Sequence, residues 1–150
     1  MSAGNMIRLL SLAVVAGAFA APPVVAQSDT NACPVDGCQV RIVSVEKEGD
    51  ELRVTLDANF TPDMSRNHLH IWWGDNFTIQ QVSDDAESVH GVQQGDWHPT
   101  DIYPVYVTQS GASTSVRGEA TTLCVSASDR NHDIIDIAIL DCRSVADLLQ

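Results

Sequence analysis

Glu51-Leu-Arg-Val-Thr-Leu-Asp-Ala58 is the stretch that decides the fold. Leu52, Val54, Leu56 and Ala58 alternate with Glu51, Arg53, Thr55 and Asp57. A period of two sends one set to each side of an extended chain, so this is a half-buried strand. Just upstream, residues 40–45 are a β-branched run, and Lys47-Glu-Gly-Asp50 is a turn signal. The two runs read as a hairpin.

Downstream, Asn67-His-Leu-His-Ile-Trp-Trp73 reads as a third strand. It places His68, His70 and Trp72 on one face and Leu69, Ile71 and Trp73 on the other. Gly74-Asp75-Asn76 then turns the chain. Further strands are expected at 77–82, 102–108, 121–127 and 134–140, with Pro104 marking an edge position. Residues 83–97 are polar and aperiodic and read as a long loop, a length that is often functional. Ser144 is expected to cap a short C-terminal helix over Val145, Leu148 and Leu149. About seven short strands with polar turns predict an all-β fold, an antiparallel sandwich of immunoglobulin-like or Greek-key type.

The chain has 150 residues, which fits one domain, and 8 Lys+Arg against 20 Asp+Glu give a formal charge of −12. Such acidity argues against nucleic acid or an anionic membrane surface as partner. Lys47 is the only lysine, so no polybasic patch can form. The bland reading of the acids is a soluble surface; the sharper one is a surface that collects cations.

Residues 1–26 read as a secretory signal peptide. Arg8 is the positive end, 9–21 is an apolar run interrupted only by Ser11 and Gly17, and Val24-Val25-Ala26 precedes the expected cut before Gln27. Ala18-Phe19-Ala20 is the alternative site. The run is shorter than the ~18 residues of a spanning helix, so no membrane anchor is expected after cleavage. A secreted or periplasmic location follows. Removal takes away Arg8 and no acid, leaving 124 residues at −13. The expected layout is an N-terminal segment at 27–37 and one sandwich domain at 38–150.

Four cysteines, Cys33, Cys38, Cys124 and Cys142, all follow the signal. An even number in an exported chain reads as two disulfides. Of three pairings, Cys33–Cys38 with Cys124–Cys142 is preferred, because each closes a local loop. Neither pair has the CxxC spacing of a zinc knuckle.

No GxGxxG, GxxxxGK[ST] or GxSxG is present, and no carboxylate pair stands out as acid and base. The histidines carry most information. His68 and His70 share one strand face, about 6–7 Å apart at the backbone. Neutral imidazoles at that spacing suit copper or zinc. A catalytic zinc usually needs a third protein ligand. His90, His98 and His132 are the candidates to complete the site, with Asp101 close by in sequence. The alternative is polar decoration of a strand and ordinary turn residues. Trp72, Trp73, Trp97, Tyr103 and Tyr106 form a second cluster in sequence. With Trp72, Trp97 and Asp101 as ligand-binding residues it would suit a sugar or ring ligand; otherwise it builds the core.

Two resemblances rest on these residues. The chain resembles a set of small exported bacterial proteins and lipoproteins of uncharacterised function. The similarity covers 54–60 leading into Thr61-Pro-Asp63, the strand 67–73, and 120–127 running to Asn131-His132 and Cys142. It implies a compact β-domain and the Cys124–Cys142 pairing, and no activity. Locally, His68-x-His70 followed by Gly74-Asp75-Asn76 is similar to the copper-binding strand of Cu/Zn superoxide dismutase. His90 and His98, eight apart, are similar to two of its zinc histidines, and Asp101 to its zinc aspartate. The chain departs from that family. Three residues separate His70 from Gly74 instead of two, one zinc histidine is missing, and residues 124–127 hold no late copper histidine. The resemblance implies a workable metal platform on a sandwich strand.

The expected function is therefore an exported binding module holding a copper or zinc ion through His68 and His70. The alternative is a domain that binds a carbohydrate, an envelope component or a protein through its Trp/Tyr surface. A copper enzyme of the dismutase type ranks third.

Overall fold

The alternation at 51–58 is realised in the computed structural model as a strand that buries Leu52, Val54 and Leu56 and exposes Arg53 and Asp57. The structure describes Cys33, Val35 and residues 37–83 and 89–150. The expected signal at 1–26 and residues 84–88 of the expected long loop lie outside the described residues.

Strand β1 (Val40–Glu48) pairs antiparallel with β2 (Glu51–Ala58). Gly49 makes the turn at φ +65, a conformation that costs glycine nothing sterically. A bulge between Ile42 and Ser44 leaves Val43 exposed. A short strand completes this sheet on the other side of β2 at Val105–Val107, with Pro104 just before it at the edge. The second sheet centres on β3 (His68–Trp73), with β4 (His98–Thr100) on one side. The Val105–Val107 strand is β5. On the other side of β3 come β6 (Thr122–Ser128) and then β7 (Leu140–Ser144). Every observed strand pairing is antiparallel.

The main core lies between the sheets. Ile42, Leu52, Val54, Leu56 and Tyr106 of the first meet Leu69, Ile71, Trp73, Leu123 and Val125 of the second. The other face of β3 is covered too, which is why all six of its residues are buried. Trp72 forms a second cluster there with Ile79, Val82, Val92, Trp97 and Cys124. Strand alternation thus sets the faces as expected, with Trp73 in the main core and Trp72 under Ile79, Val82, Val92 and Trp97.

Both expected disulfides are present, Cys33–Cys38 and Cys124–Cys142. The second joins directly paired residues of β6 and β7. Closing a loop of that size constrains the unfolded chain by about 3 kcal/mol. On the same strand β7, Asp141 accepts a hydrogen bond from the Ile42 backbone N–H (2.7 Å), and Arg143 donates to the carbonyls of Ile42 and Val43. These side chains tie the bulged edge of β1 to β7.

β4 is not expected from the sequence, and three expected elements differ from what is observed. Residues 77–82 are not a strand: Ile79–Val82 is a 3-10 helix. Gln81 accepts a hydrogen bond from the Thr78 backbone N–H, and a three-residue spacing buries Ile79 and Val82 together. The final strand is Leu140–Ser144, not 134–140. The Cys124–Cys142 pair fixes its register, while Ile134 makes only an isolated bridge to Ser128. The C-terminal helix is a single 3-10 turn, Ala146–Leu148, because Ser144 is still held in β7 and caps nothing.

Candidate metal centre

Strand periodicity places the first two candidate ligands. His68 and His70 point to the same side of β3, their ring centroids 5.2 Å apart and their Nε2 atoms 3.3 Å apart. Neither is measurably exposed. The third imidazole comes from the β6–β7 connection. His132 Nδ1 lies 2.9 Å from His68 Nε2. One ligand atom from each of the three falls within 4.8 Å of the others. In a tetrahedral site with Zn–N of about 2.05 Å, ligand nitrogens are about 3.3 Å apart. The His68–His132 and His68–His70 separations, 2.9 and 3.3 Å, are close to that spacing and all three atoms lie within 4.8 Å, so the three residues could hold a metal ion.

The sequence Asp129-Arg-Asn-His-Asp133 explains how His132 is presented. Asp129 Oδ1 accepts hydrogen bonds from the backbone N–H groups of Asn131 (2.7 Å) and Asp133 (3.1 Å). The Asp129 N–H donates to the Asp133 carbonyl at 2.8 Å. This tight loop puts His132 at φ +69. Such a left-handed residue costs roughly 1–2 kcal/mol when it carries a Cβ. The loop's own hydrogen bonds offset that cost.

Surrounding groups orient the rings. His70 Nδ1 donates to the Val82 carbonyl at 2.6 Å. That bond fixes the tautomer and leaves the Nε2 lone pair facing the cluster. His132 Nε2 lies 3.2 Å from the Gln94 side-chain amide. Trp97 packs its indole on His70, with centroids 3.9 Å apart, and meets His132 edge-on at 5.8 Å.

Burial also sets the charge state. It pushes the His68 pKa down to about 4, with the nearby His132 adding to the effect and Asp129 and Asp101 opposing it. Burial holds His70 well below the usual imidazole range, against the pull of the Val82 carbonyl. Both rings are neutral at pH 7, the form that binds metals.

The remaining candidates lie elsewhere. β4 pairs His98 with Ile71, which puts His98 on the main-core side, away from His70. There its Nδ1 lies 2.6 Å from the Tyr106 hydroxyl, which itself donates to the Gln109 carbonyl, and burial lowers the His98 pKa. Burial raises that of Tyr106, which keeps the phenol protonated. His90 is exposed and outside the cluster. Asp101 is exposed just after β4 and influences His68 only through space. Trp72 is buried and donates its indole N–H to the Phe77 carbonyl. Trp97 is buried against the cluster. Sequence reasoning missed Val82 and Gln94. A carbonyl partner has no side-chain signature, and Gln94 sits in an aperiodic polar stretch.

The fold and site together define an antiparallel two-sheet β-domain with a three-histidine cluster, two members buried and one half-buried. No protein-family model, no curated protein and no solved structure matches the chain. Two disulfides fit an oxidising, non-cytoplasmic location. Among the described residues no helix is long and apolar enough to cross a membrane.

Proposed function

We propose that this protein is an exported metal-binding module that holds one copper or zinc ion through His68, His70 and His132. The carrying observation is the convergence of three imidazole nitrogens from two separate elements within 4.8 Å. Two supports accompany it. The Val82 carbonyl pre-orients His70, and burial keeps His68 and His70 neutral. Imidazole donors suit Cu and Zn. The two disulfides and the leader-like residues 1–26 support secretion or a periplasmic location. An immunoglobulin-like or Greek-key sandwich is the arrangement we favour for the two sheets.

The partner in this reading is a metal ion, taken up in the envelope or outside the cell. A carbohydrate- or protein-binding aromatic surface has less support, because Trp72 and Trp97 are both buried. The test is competitive titration of the purified mature protein with Cu(II) and Zn(II). One ion per chain is expected, and His132→Ala should weaken binding at least tenfold. Unchanged affinity and stoichiometry in both His132→Ala and His68→Ala would end the assignment.

A further inference from the structure

Folded proteins rarely leave buried polar atoms without partners, and each such atom calls for an explanation. Among the described residues four buried side-chain atoms lack one: Nδ2 and Oδ1 of Asn67, Nδ1 of His68 and Nε1 of Trp97. Two of them lie at the three-histidine cluster: Nδ1 belongs to His68 itself, and Trp97 packs on His70. Asn67 instead lines a separate pocket with Thr61, Pro62 and Asp63. Trp97 is only 2 % exposed, so bulk water does not solvate its indole. An indole N–H can only donate. What it lacks is an acceptor.

Charge makes an independent argument. Three neutral nitrogens leave a divalent ion with its full double charge. Among the described residues no carboxylate or thiolate joins them at ligand distance. Asp129 and Asp101 act on His68 only through space, and an anion bound directly to the ion would offset half of its charge. Three protein ligands also leave the fourth position of a tetrahedron open. The missing component is therefore small, anionic and a hydrogen-bond acceptor.

We infer that the metal held by His68, His70 and His132 takes a small monoanion, of the hydroxide or azide class, as an exchangeable fourth ligand. Trp97 Nε1 donates a hydrogen bond to that ligand and so acts as a positioning residue. The inference rests on the metal-binding reading above. Exchange breaks a metal–water bond and forms a metal–anion bond; no electron is transferred.

The test uses the mature protein loaded with Cu(II) and titrated with sodium azide. A saturable azide-to-copper charge-transfer band is expected, with one azide per copper. Trp97→Phe keeps a ring against His70 and removes the N–H. It should weaken azide binding about tenfold. A merely structural role for Trp97 would weaken copper binding as much as azide binding. Copper that binds one to one but shows no azide band would overturn the open position, and the wild-type protein alone decides this. Equal azide affinity in Trp97→Phe would overturn the indole's role. Failure of copper to bind at all shows in the first titration and would overturn the metal-binding reading itself.

Discussion

His68 Nε2 stands 2.9 Å from His132 Nδ1, although 64 residues separate them in the chain. One belongs to the middle of a buried sheet and the other to a strained surface loop. The site therefore joins a side chain held by strand pairing to one held by a hydrogen-bonded loop. That contrast makes the roles of the two residues separable.

At position 132 the backbone and the side chain have opposite interests. The φ of +69 suits glycine, while the imidazole would supply a ligand nitrogen in the proposed site. In the metal-free protein His132→Gly should be more stable than His132→Ala by about 1 kcal/mol. Both variants should lose metal affinity equally. Urea unfolding and metal titration check the two halves. Equal stability of Gly and Ala at this position would remove the strain argument.

The metal-free protein should weaken on mild acidification. Burial lowers the His68 pKa from 6.5 to about 4. The unfolded chain therefore binds the proton first as pH falls. The stability held by neutral His68 is complete above about pH 6.5 and is lost progressively down to about pH 4. Its size is on the order of 3 kcal/mol. Unfolding free energies across that range should slope downward toward acid, and His68→Gln should flatten the slope. A flat profile in the wild-type protein would contradict the burial of neutral imidazole.

Glu51 makes a second acid-sensitive contact at the start of β2. Burial alone would raise its pKa. Hydrogen bonds from Ser113, Thr108 and Thr114 outweigh that and hold the carboxylate below its usual range. A lowered carboxylate stabilises the fold above its ordinary pKa and loses that contribution as pH falls through its folded value. Glu51→Gln should cost about 1–2 kcal/mol at pH 7 and less near pH 3. Metal binding should not change. A thermal shift series at the two pH values checks it.

Reduction of Cys124–Cys142 should act on both stability and the site. The bridge closes the 18-residue separation that includes His132. Its loss should cost about 2–5 kcal/mol, and metal affinity should fall with it. The packing next to it is tight as well. A Cβ at Gly74 would come within 2.5 Å of Cys124 Sγ. Gly74→Ala should therefore lower stability by about 1–3 kcal/mol. Calorimetry with and without reductant, and on Gly74→Ala, provides the measurement.

The parts of the fold that a sequence reveals are those governed by a period. Residues 51–58 and 67–73 show it in their side chains, so both strands and the common face of His68 and His70 were legible. β4 was not, because His98-Pro-Thr100 is too short to show any alternation. β7 was misplaced because Ile134, Ile135, Ile137 and Ile139 look more strand-like than Leu-Asp-Cys-Arg-Ser. The backbone pairing and the disulfide decide that edge, and neither needs apolar side chains. Choosing His132 over His90 and His98 required the register of β4 and the turn at 129–133. Both are products of long-range pairing that no local pattern contains.

Burial of β3 on both faces has one more consequence. A slip of one residue against β6 would exchange Leu69 and Ile71 for His68 and His70. Two imidazoles would then sit among the main-core aliphatics, and the cluster would vanish. A bound ion can recognise only the correctly paired strand. The metal would thus serve as a proofreader of sheet assembly, rewarding the single alignment that brings the histidines together and leaving every misaligned chain without its ligand.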